Sequence, residues 1–196
     1  LNLLDGDTSV GSSITLADAD GFVVNDGGTM KTIPATDITT YVGGGITMTD
    51  SWKITAQVNV ATDADITTNW ERDDTSGAGF IGTGLTESSG IFTFPQTGIY
   101  QIFYTMNITT GGTDSAFFLH LKTSIDGTNY ISHSIICNGY IAGDQITSSV
   151  DTIFDVTNTT NCKFKFYTDN FTTGTSVYGD TNMLRSGFNV IRLGDT

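Results

Sequence analysis

Residues 90–100, with the sequence GIFTFPQTGIY, decide the fold of the chain. Two short apolar runs flank the P-Q-T-G segment, which predicts two β-strands joined by a turn. Pro95 and Gly98 are expected to form that turn, because proline fixes its φ angle and glycine accepts backbone conformations that other residues avoid. Tyr100 is then the first large inward-facing residue of the second strand.

Similar strand patterns fill the chain from about Ile46 to Thr196. Each pattern is short, rich in β-branched and aromatic residues, and separated from the next by Gly, Asn, Asp or Thr. About eight such strands at this spacing predict an all-β protein with a jelly-roll sandwich. The predicted segments are WKITAQVNV, GIFTF, GIYQIFYTMNI, AFFLHLKTSI, YISHSIIC, VDTIFDV, CKFKFYT and GFNVIRL.

The strand that begins at Ile99 carries large apolar side chains on both faces. Residues Tyr100, Ile102, Tyr104, Met106 and Ile108 share one face, and Ile99, Gln101, Phe103 and Thr105 share the other. A single sandwich covers only one face of each sheet, so we expect another subunit to cover the second face. The side chains predicted for that subunit contact are Phe103, Ile153, Ile191 and Leu193.

The first 45 residues differ from the rest, since they are rich in Asp, Gly and Thr and contain no Trp or Cys. Residues 21–34 predict a tight β-hairpin that turns at Asn25-Asp26-Gly27-Gly28. A short helix is expected after Pro34, and Gly43-Gly44-Gly45 is expected to end it and to act as a joint. We therefore predict a small ββα segment over residues 1–45 and a jelly roll over residues 46–196.

Residues 90–100 resemble the G-x-F-x-x-P-x-x-G-x-Y signature of the complement-type globular head domain. The closing Ser186-Gly187-Phe188 resembles the start of the final strand in the same family. The resemblance covers residues 46–196 and implies a ten-strand jelly roll of the complement and tumour-necrosis-factor type. Members of that family associate as compact homotrimers and act as ligands or recognition heads, not as enzymes.

Residues 16–42, LADADGFVVNDGGTMKTIPATDITTYV, resemble a short module of tailed-phage structural proteins. Such modules precede a fibre or appendage domain, which implies attachment to other virion proteins. The chain has neither Gly-x-y triplets nor heptad repeats, so a collagen-like or coiled-coil stalk is not expected. This difference from animal members of the complement-type family favours a virion protein.

The formal net charge of the chain is −13, with 8 basic and 21 acidic residues. Such a balance repels phosphate backbones and anionic lipids, so nucleic-acid and membrane partners are not expected. No apolar run approaches the ~20 residues that a membrane-spanning helix needs. The acidic composition is typical of a protein that must stay soluble on an exposed particle or outside a cell.

His120 and His133 are the only histidines, and both lie within predicted strands. A two-residue turn at Asp126-Gly127 would place them directly opposite each other. A three-residue turn would instead place Phe117, Leu119 and Leu121 on one face with Ile131, His133, Ile135 and Cys137. Burial of apolar side chains favours the second register, in which no histidine pair exists. We therefore expect structural histidines, no catalytic residues and no enzymatic activity.

Close pairs of aspartates could hold calcium, but none matches a twelve-residue calcium loop with its closing Glu. Turn formation and helix capping explain them more simply, so no metal or other cofactor is expected. The resemblance implies that another strand separates Cys137 from Cys162, which predicts two buried, unbridged thiols. The aspartates considered are Asp5, Asp7, Asp18, Asp20, Asp63, Asp65, Asp73 and Asp74.

The sequence thus favours a trimeric surface protein of a tailed phage, namely a fibre, spike or capsid appendage that attaches to a host receptor or glycan. The alternatives are a secreted ligand or lectin of the same fold and a capsid cement protein that binds no receptor. Receptor contact is expected in loops, where binding residues concentrate. The candidate loop residues are Asp73, Asp74, Asp114, Tyr140, Asp144 and Tyr178.

Overall fold

The computed structural model describes residues 16–42, 45–59, 63–74, 77–111, 116–139 and 143–196. The chain divides into two units, Leu1–Gly45 and Ile46–Thr196. Asp5, Asp7, Asp114 and Tyr140 lie outside the described residues. No helix in the described part of the chain is long and apolar enough to cross a membrane.

The first unit is a β-hairpin followed directly by a helix. Strands β1 (Gly21–Asp26) and β2 (Thr29–Pro34) pair antiparallel, and α1 (Ala35–Val42) begins at the next residue. At the turn, the Gly28 N–H donates to Asn25 Oδ1 at 2.7 Å. The predicted ββα segment is therefore confirmed. Among its described side chains none is fully buried, because a hairpin and two helical turns are too small to enclose a core.

The second unit contains the remaining strands. Their bounds are β3 (Thr49–Ile54), β4 (Val58–Asn59), β5 (Ala64–Asp65), β6 (Trp70–Arg72), β7 (Thr86–Ser88), β8 (Ile91–Thr93), β9 (Gly98–Thr109), β10 (Ala116–Ser124), β11 (Ile131–Gly139), β12 (Gln145–Val156), β13 (Lys163–Asp169), β14 (Ser176–Val177) and β15 (Gly187–Gly194).

These strands pair as nested hairpins, which defines a jelly roll. The innermost pair is β10 with β11, and around it β9 pairs with β12 and β8 with β13. The outermost pair joins β3 to β15, near the two ends of the unit. The fold class expected from the sequence is confirmed.

Two sheets result from this pairing, and each is named here after its central strand. The β9 sheet has the order β12-β9-β15-β3-β6, and the short strands β14 and β4 extend beside the far end of β9. The β13 sheet has the order β11-β10-β13-β8-β7, with β5 also pairing with β13. All of the named pairings are antiparallel, as in the predicted sandwich.

The core lies between the two sheets. Alternation along β9 correctly identified its inward face, because Tyr100, Ile102, Tyr104, Met106 and Ile108 are all fully buried. Phe92 from the opposite sheet lies at the centre of an aromatic cluster. Its ring centroid is 4.7 Å from that of Phe188, 5.0 Å from that of Phe164 and 5.4 Å from that of Trp52.

The structure explains why glycine and tyrosine occupy particular positions in residues 90–100 and 186–188. Gly98 has φ +144°, and a Cβ there would collide with the Arg192 side chain and the Gly194 carbonyl oxygen. At Gly187 a Cβ would collide with the carbonyl oxygen of Trp52. The Tyr100 hydroxyl donates to the Gln96 carbonyl at 2.9 Å, which ties the turn to the core. Both glycines therefore allow strands to approach where no other residue fits.

The register expected between β10 and β11 is wrong. His120 pairs with Ile135, and Phe118 pairs with Cys137, so Ile135 and Cys137 lie on the outer face of the β13 sheet. The predicted burial of Cys137 is also wrong, because this residue is exposed whereas Cys162 is buried. A bulge between Leu121 and Lys122 shifts the pairing near the turn, and a bulge cannot be recognised from apolar alternation.

Candidate interaction surface

The outer face of the β9 sheet carries the predicted subunit-contact residues. Phe103 lies on β9 between Asp151 of β12 and Asn189 of β15. Its side chain points away from the core and is 43% exposed. Ile153 is 49% exposed and lies beside Gln101, on the opposite side of β9 from Ile191. Large apolar side chains thus face solvent on a sheet whose other face is the core.

A hollow of about 420 Å³ opens on this face. The structure brings Phe103 and Ile191 together in its lining, whereas Ile153 and Leu193 are not among the lining residues. Leu193 lies in the bulge near the end of β15 and is 55% exposed. The residues that line the hollow are Thr49, Asp50, Ser51, Gly79, Gln101, Phe103, Asn189, Val190 and Ile191.

One wall of the hollow comes from the segment 77–81, which includes Gly79. Two backbone hydrogen bonds hold this segment against β3. The Thr49 N–H donates to the Ile81 carbonyl at 3.2 Å, and the Ile81 N–H donates to the Thr49 carbonyl at 3.1 Å. The wall is therefore part of the hydrogen-bonded fold of the subunit.

Next to this segment, the buried carboxylate of Asp50 accepts hydrogen bonds from several other residues of the same chain. The Asp50 side chain faces inward on β3 and has no exposed surface, although it is charged. Its oxygens accept hydrogen bonds from Trp52 Nε1 at 2.9 Å and from the Leu85 N–H at 2.7 Å. The Arg72 guanidinium donates two more, and it lies between the Trp52 and Phe80 rings at 5.1 and 4.8 Å. These contacts hold Arg72, which precedes the segment 77–81, and Leu85, which follows it.

Asp73 does not stand free in a loop. Its carboxylate accepts a hydrogen bond from Lys53 Nζ at 3.1 Å, and Glu71 lies 3.6 Å from the same ammonium group. Burial favours the neutral form of Lys53, but the bond to Asp73 and the charges of Asp73, Glu71 and Asp74 outweigh it and raise the pKa of Lys53. Among the predicted loop residues, Asp73 is thus part of a structural ion pair, while Asp74 is exposed.

Three loops meet at the end of the sandwich where β9 terminates. The Thr110 N–H donates to the Asp144 carbonyl at 3.2 Å, and the Gly143 N–H donates to the Thr110 carbonyl at the same distance. The Gly111 N–H donates to Thr175 Oγ1 at 2.8 Å. We call residues 110–111, 143–144 and 172–175 the end loops; of the predicted loop residues, they include Asp144.

Tyr178 lies just beyond the end loops. Its N–H donates to the Asn107 carbonyl at 2.8 Å, and its ring contacts the Arg185 guanidinium at 5.1 Å. Tyr178 is half-buried, so only part of its side chain is available for binding. The described loop candidates therefore fall into two groups, with Asp144 and Tyr178 near the end of β9 and Asp73 and Asp74 beside β6.

Both histidines make hydrogen bonds that link strands. His120 Nδ1 is 2.9 Å from Ser132 Oγ, and His120 Nε2 is 3.3 Å from Asp169 Oδ2, which joins three strands of the β13 sheet. These are the residue types of a hydrolase triad, but Ser and Asp contact the opposite ring nitrogens from those used in the standard triad. His133 Nε2 lies 2.9 Å from the Ile153 carbonyl oxygen and links the two sheets.

Several of the described aspartates considered for calcium take part in hydrogen bonds or ion pairs within the chain. Asp20 Oδ2 accepts the Ala17 N–H at 2.8 Å, and Asp63 Oδ1 accepts the Asn170 N–H at 2.6 Å. Asp65 forms an ion pair with Lys165 at 2.7 Å. Within the described ranges, no group of three or more His, Cys, Asp or Glu side chains is arranged to hold a metal ion.

Several solved structures are similar to this chain in fold. The Eiger TNF of S. frugiperda has a TM-score of 0.61 at 12% identity, covering 78% of this chain and 96% of that one. Murine APRIL at pH 5.0 has a TM-score of 0.56 at 8% identity, covering 74% and 99%. The globular domain of the zebrafish complement 1qA protein has a TM-score of 0.49, which is too low to argue a common fold.

The fold is therefore a jelly roll of the tumour-necrosis-factor type. No model of a known protein family and no curated protein sequence matches the chain. Identities of 8 and 12% establish the fold alone. The resemblance of residues 16–42 to a phage structural module has no support from these comparisons.

Proposed function

We propose that the chain is a non-enzymatic homotrimeric attachment protein that binds its target through the end loops of the jelly roll. The observation that carries this proposal is the outer face of the β9 sheet, where Phe103 and Ile153 are solvent-exposed beside the hollow. Exposed apolar side chains grouped on one face of a folded domain mark an interaction site. The family that the sequence resembles uses homotrimers, which makes two further copies of the chain the proposed partners.

The layout of the jelly roll supports attachment at one end and recognition at the other. Thr49, near the start of the unit, pairs with Ile191, which pairs with Gln101 near the beginning of β9. The end loops lie beyond Thr109, at the other end of the same strand. The first strand of the jelly roll therefore begins at the end of β9 that is remote from the end loops.

The ββα segment is the proposed attachment part. Val23, Met30 and Tyr41 are 57%, 63% and 90% exposed, respectively. A segment that leaves apolar side chains of this size in water gains stability when another surface covers them. Other proteins of the particle are the proposed source of that surface.

More specifically, the proposed protein is a virion appendage of a tailed phage that contacts a host receptor or glycan. The resemblance of residues 16–42 to a phage structural module supports it. A secreted ligand or lectin is the second candidate, and the fold shared with Eiger and APRIL favours it. A cement protein without a receptor would use the same fold and would leave the end loops unbound.

Two experiments test the proposal. Sedimentation equilibrium of the unmodified chain at micromolar concentration is expected to give three times the 20.9 kDa chain mass. A monomer would contradict the trimer. Electron microscopy of virions labelled with an antibody to the chain is expected to show label on the particle surface. Particles without label, together with chain in the culture medium, would favour the secreted ligand.

A further inference from the structure

Three ionisable side chains meet where β3 pairs with β6. Lys53 lies directly opposite Glu71 in this antiparallel pair. Asp73 follows two residues after Glu71, so its side chain lies on the same face of the sheet. The Asp73 N–H donates to the Ser51 carbonyl at 2.8 Å, which continues the pairing past Arg72, the last residue of β6. The backbone thus places both carboxylates beside the lysine.

The ammonium group of Lys53 is removed from solvent. The Lys53 side chain is 1% exposed, compared with 13% for Asp73 and 48% for Glu71. Lys53 Nζ lies 3.1 Å from Asp73 Oδ1 and 3.6 Å from Glu71 Oε1. By comparison, the side chains of the Lys165–Asp65 ion pair are 17% and 34% exposed. Water therefore reaches Lys53 and Asp73 much less than it reaches that second pair.

Burial makes an ion pair an unfavourable final state for Lys53 and Asp73. Taking two charges out of water costs free energy that offsets much of their mutual attraction. An amide between Lys53 Nζ and Asp73 Cγ would carry no charge, so its formation would remove this cost. The same burial would keep water away from the amide once it had formed.

We propose that Lys53 and Asp73 condense to form an isopeptide bond within the chain, with Glu71 as the proton carrier. The Lys53 ammonium group first passes a proton to Asp73 Oδ1, which leaves a neutral amine beside a carboxylic acid. The Nζ lone pair then forms a bond to Asp73 Cγ. Glu71 accepts a second proton from Nζ and donates it to Oδ1, and the Cγ–Oδ1 bond breaks to release water. Glu71 ends as a carboxylate, and no other reactant is needed.

The fold favours this reaction by holding the groups together. Well-oriented groups in one molecule react as if their concentration were about 10⁵–10⁸ M. A carboxylate that moves the proton adds a rate factor of about 10²–10⁴. Although burial lowers the pKa of Lys53, the bond to Asp73 and the nearby carboxylates raise it overall. The neutral amine is therefore a minor species, and the bond is expected to form slowly, after folding.

Intact-mass spectrometry of the denatured full chain tests the proposal. The unmodified protein, kept folded overnight, is expected to weigh one water molecule less than its sequence. Peptide mapping should then find Lys53 and Asp73 linked, whereas Lys53→Met should have its full sequence mass. Glu71→Gln lacks the proton carrier and should form the bond at least about 100-fold more slowly. Asp74→Asn also neutralises an exposed carboxylate and is the matched control, which should link as the unmodified chain does.

Several outcomes would contradict the proposal, provided that circular dichroism shows each protein to be folded. A folded unmodified chain with its full sequence mass would mean that Lys53 and Asp73 form an ion pair only. A loss of water that persists in Lys53→Met would place the reaction elsewhere, for example in a cyclic imide at Asp126-Gly127. Alkaline hydroxylamine cleaves such an imide but leaves an isopeptide bond intact. Equal rates in Glu71→Gln and the unmodified chain would exclude Glu71 as the proton carrier.

Discussion

The Asp50 carboxylate and the Arg72 guanidinium form a two-point ion pair inside the jelly roll. Arg72 Nε lies 2.9 Å from Asp50 Oδ1, and Arg72 Nη2 lies 3.1 Å from Asp50 Oδ2. Backbone and side-chain donors occupy the remaining acceptor positions of Asp50. A carboxylate without exposed surface is tolerated only when it is paired and hydrogen-bonded in this way.

Removing the cation should therefore be costly. Arg72→Met leaves the buried Asp50 charge without its partner, and we expect a loss of about 3–5 kcal/mol in the free energy of unfolding. Urea denaturation followed by tryptophan fluorescence measures it. The double variant Asp50→Leu/Arg72→Met replaces both charges and should lose less than the single variant. Equal losses in the two variants would show that packing, not the ion pair, is responsible.

Phe103→Asp should convert the proposed trimer to monomers. A charge at this position of the proposed subunit contact would be buried without a partner, which is expected to weaken association by at least about 100-fold. Because Phe103 is 43% exposed in the subunit, the monomer should remain folded. Size-exclusion chromatography with light scattering measures the mass. Ser88→Asp, an exposed position on β7 of the other sheet, is the control and should remain trimeric.

The two cysteines should react at different rates and never with each other. Strand β10 lies between β11, which holds Cys137, and β13, which follows Cys162. Thiol titration of the native protein should find one fast group, the exposed Cys137, and a second only after unfolding. Two reactive thiols per chain are expected in denaturant without reductant. An intrachain disulfide detected by mass spectrometry would contradict this sheet order.

Deleting residues 1–45 should leave the jelly roll folded. None of the described side chains of that segment is fully buried, and the hydrophobic core consists of residues from Met48 onward. We expect the truncated chain to melt close to the full-length protein by differential scanning calorimetry. Because it lacks the proposed attachment segment, the truncated chain should also fail to enter the proposed virion particle. An insoluble product would show that the segment belongs to the core, and normal incorporation would contradict its attachment role.

Acid should destabilise the protein partly through Asp126. The Asn129 N–H, the Asn129 amide, the Thr128 N–H and the Ser124 hydroxyl all donate to this carboxylate and hold its pKa far below the usual value. The stabilisation is complete above the unfolded pKa, near 4, and is lost as the pH falls toward the folded pKa.

In Asp126→Asn, the free energy of unfolding should therefore fall less steeply between about pH 4 and 2 than in the unmodified protein. Urea unfolding at several pH values measures the slope. Asn129→Ala removes one of the donors to Asp126, so its slope should lie between those of Asp126→Asn and the unmodified protein. Identical slopes in all three proteins would exclude Asp126 as a source of the acid sensitivity.

Alternation along β9 was sufficient to predict which side chains enter the core, because Tyr100, Ile102 and Tyr104 recur with the period of a strand. The same rule failed in β11, where a bulge next to Lys122 changes the register. The beginning of β12 was also missed, since Ile146 is the one large apolar residue in Gln145-Ile-Thr-Ser-Ser. Pairing with β9, not local composition, makes that stretch a strand.

The Asp50–Arg72 pair was not predicted, because its members are 22 residues apart and only the fold brings them together. One signal was present in the sequence. Asp50 stands between Met48 and Trp52 at the spacing of an inward-facing strand, and a charged residue at such a position requires a buried partner. Strands β5, β6, β7 and β14 contain only two or three residues each, which is too short for a periodic pattern.

The opposite placement of Thr49 and the end loops also has a mechanical consequence. If the ββα segment is held on a particle while the end loops hold a target, tension runs along β3, β15 and β9. The backbone hydrogen bonds between these antiparallel strands are perpendicular to that direction. A force along the strands would therefore act on many of these hydrogen bonds at the same time, instead of breaking them one after another. The jelly roll would resist detachment forces most strongly along the line that joins its two points of attachment.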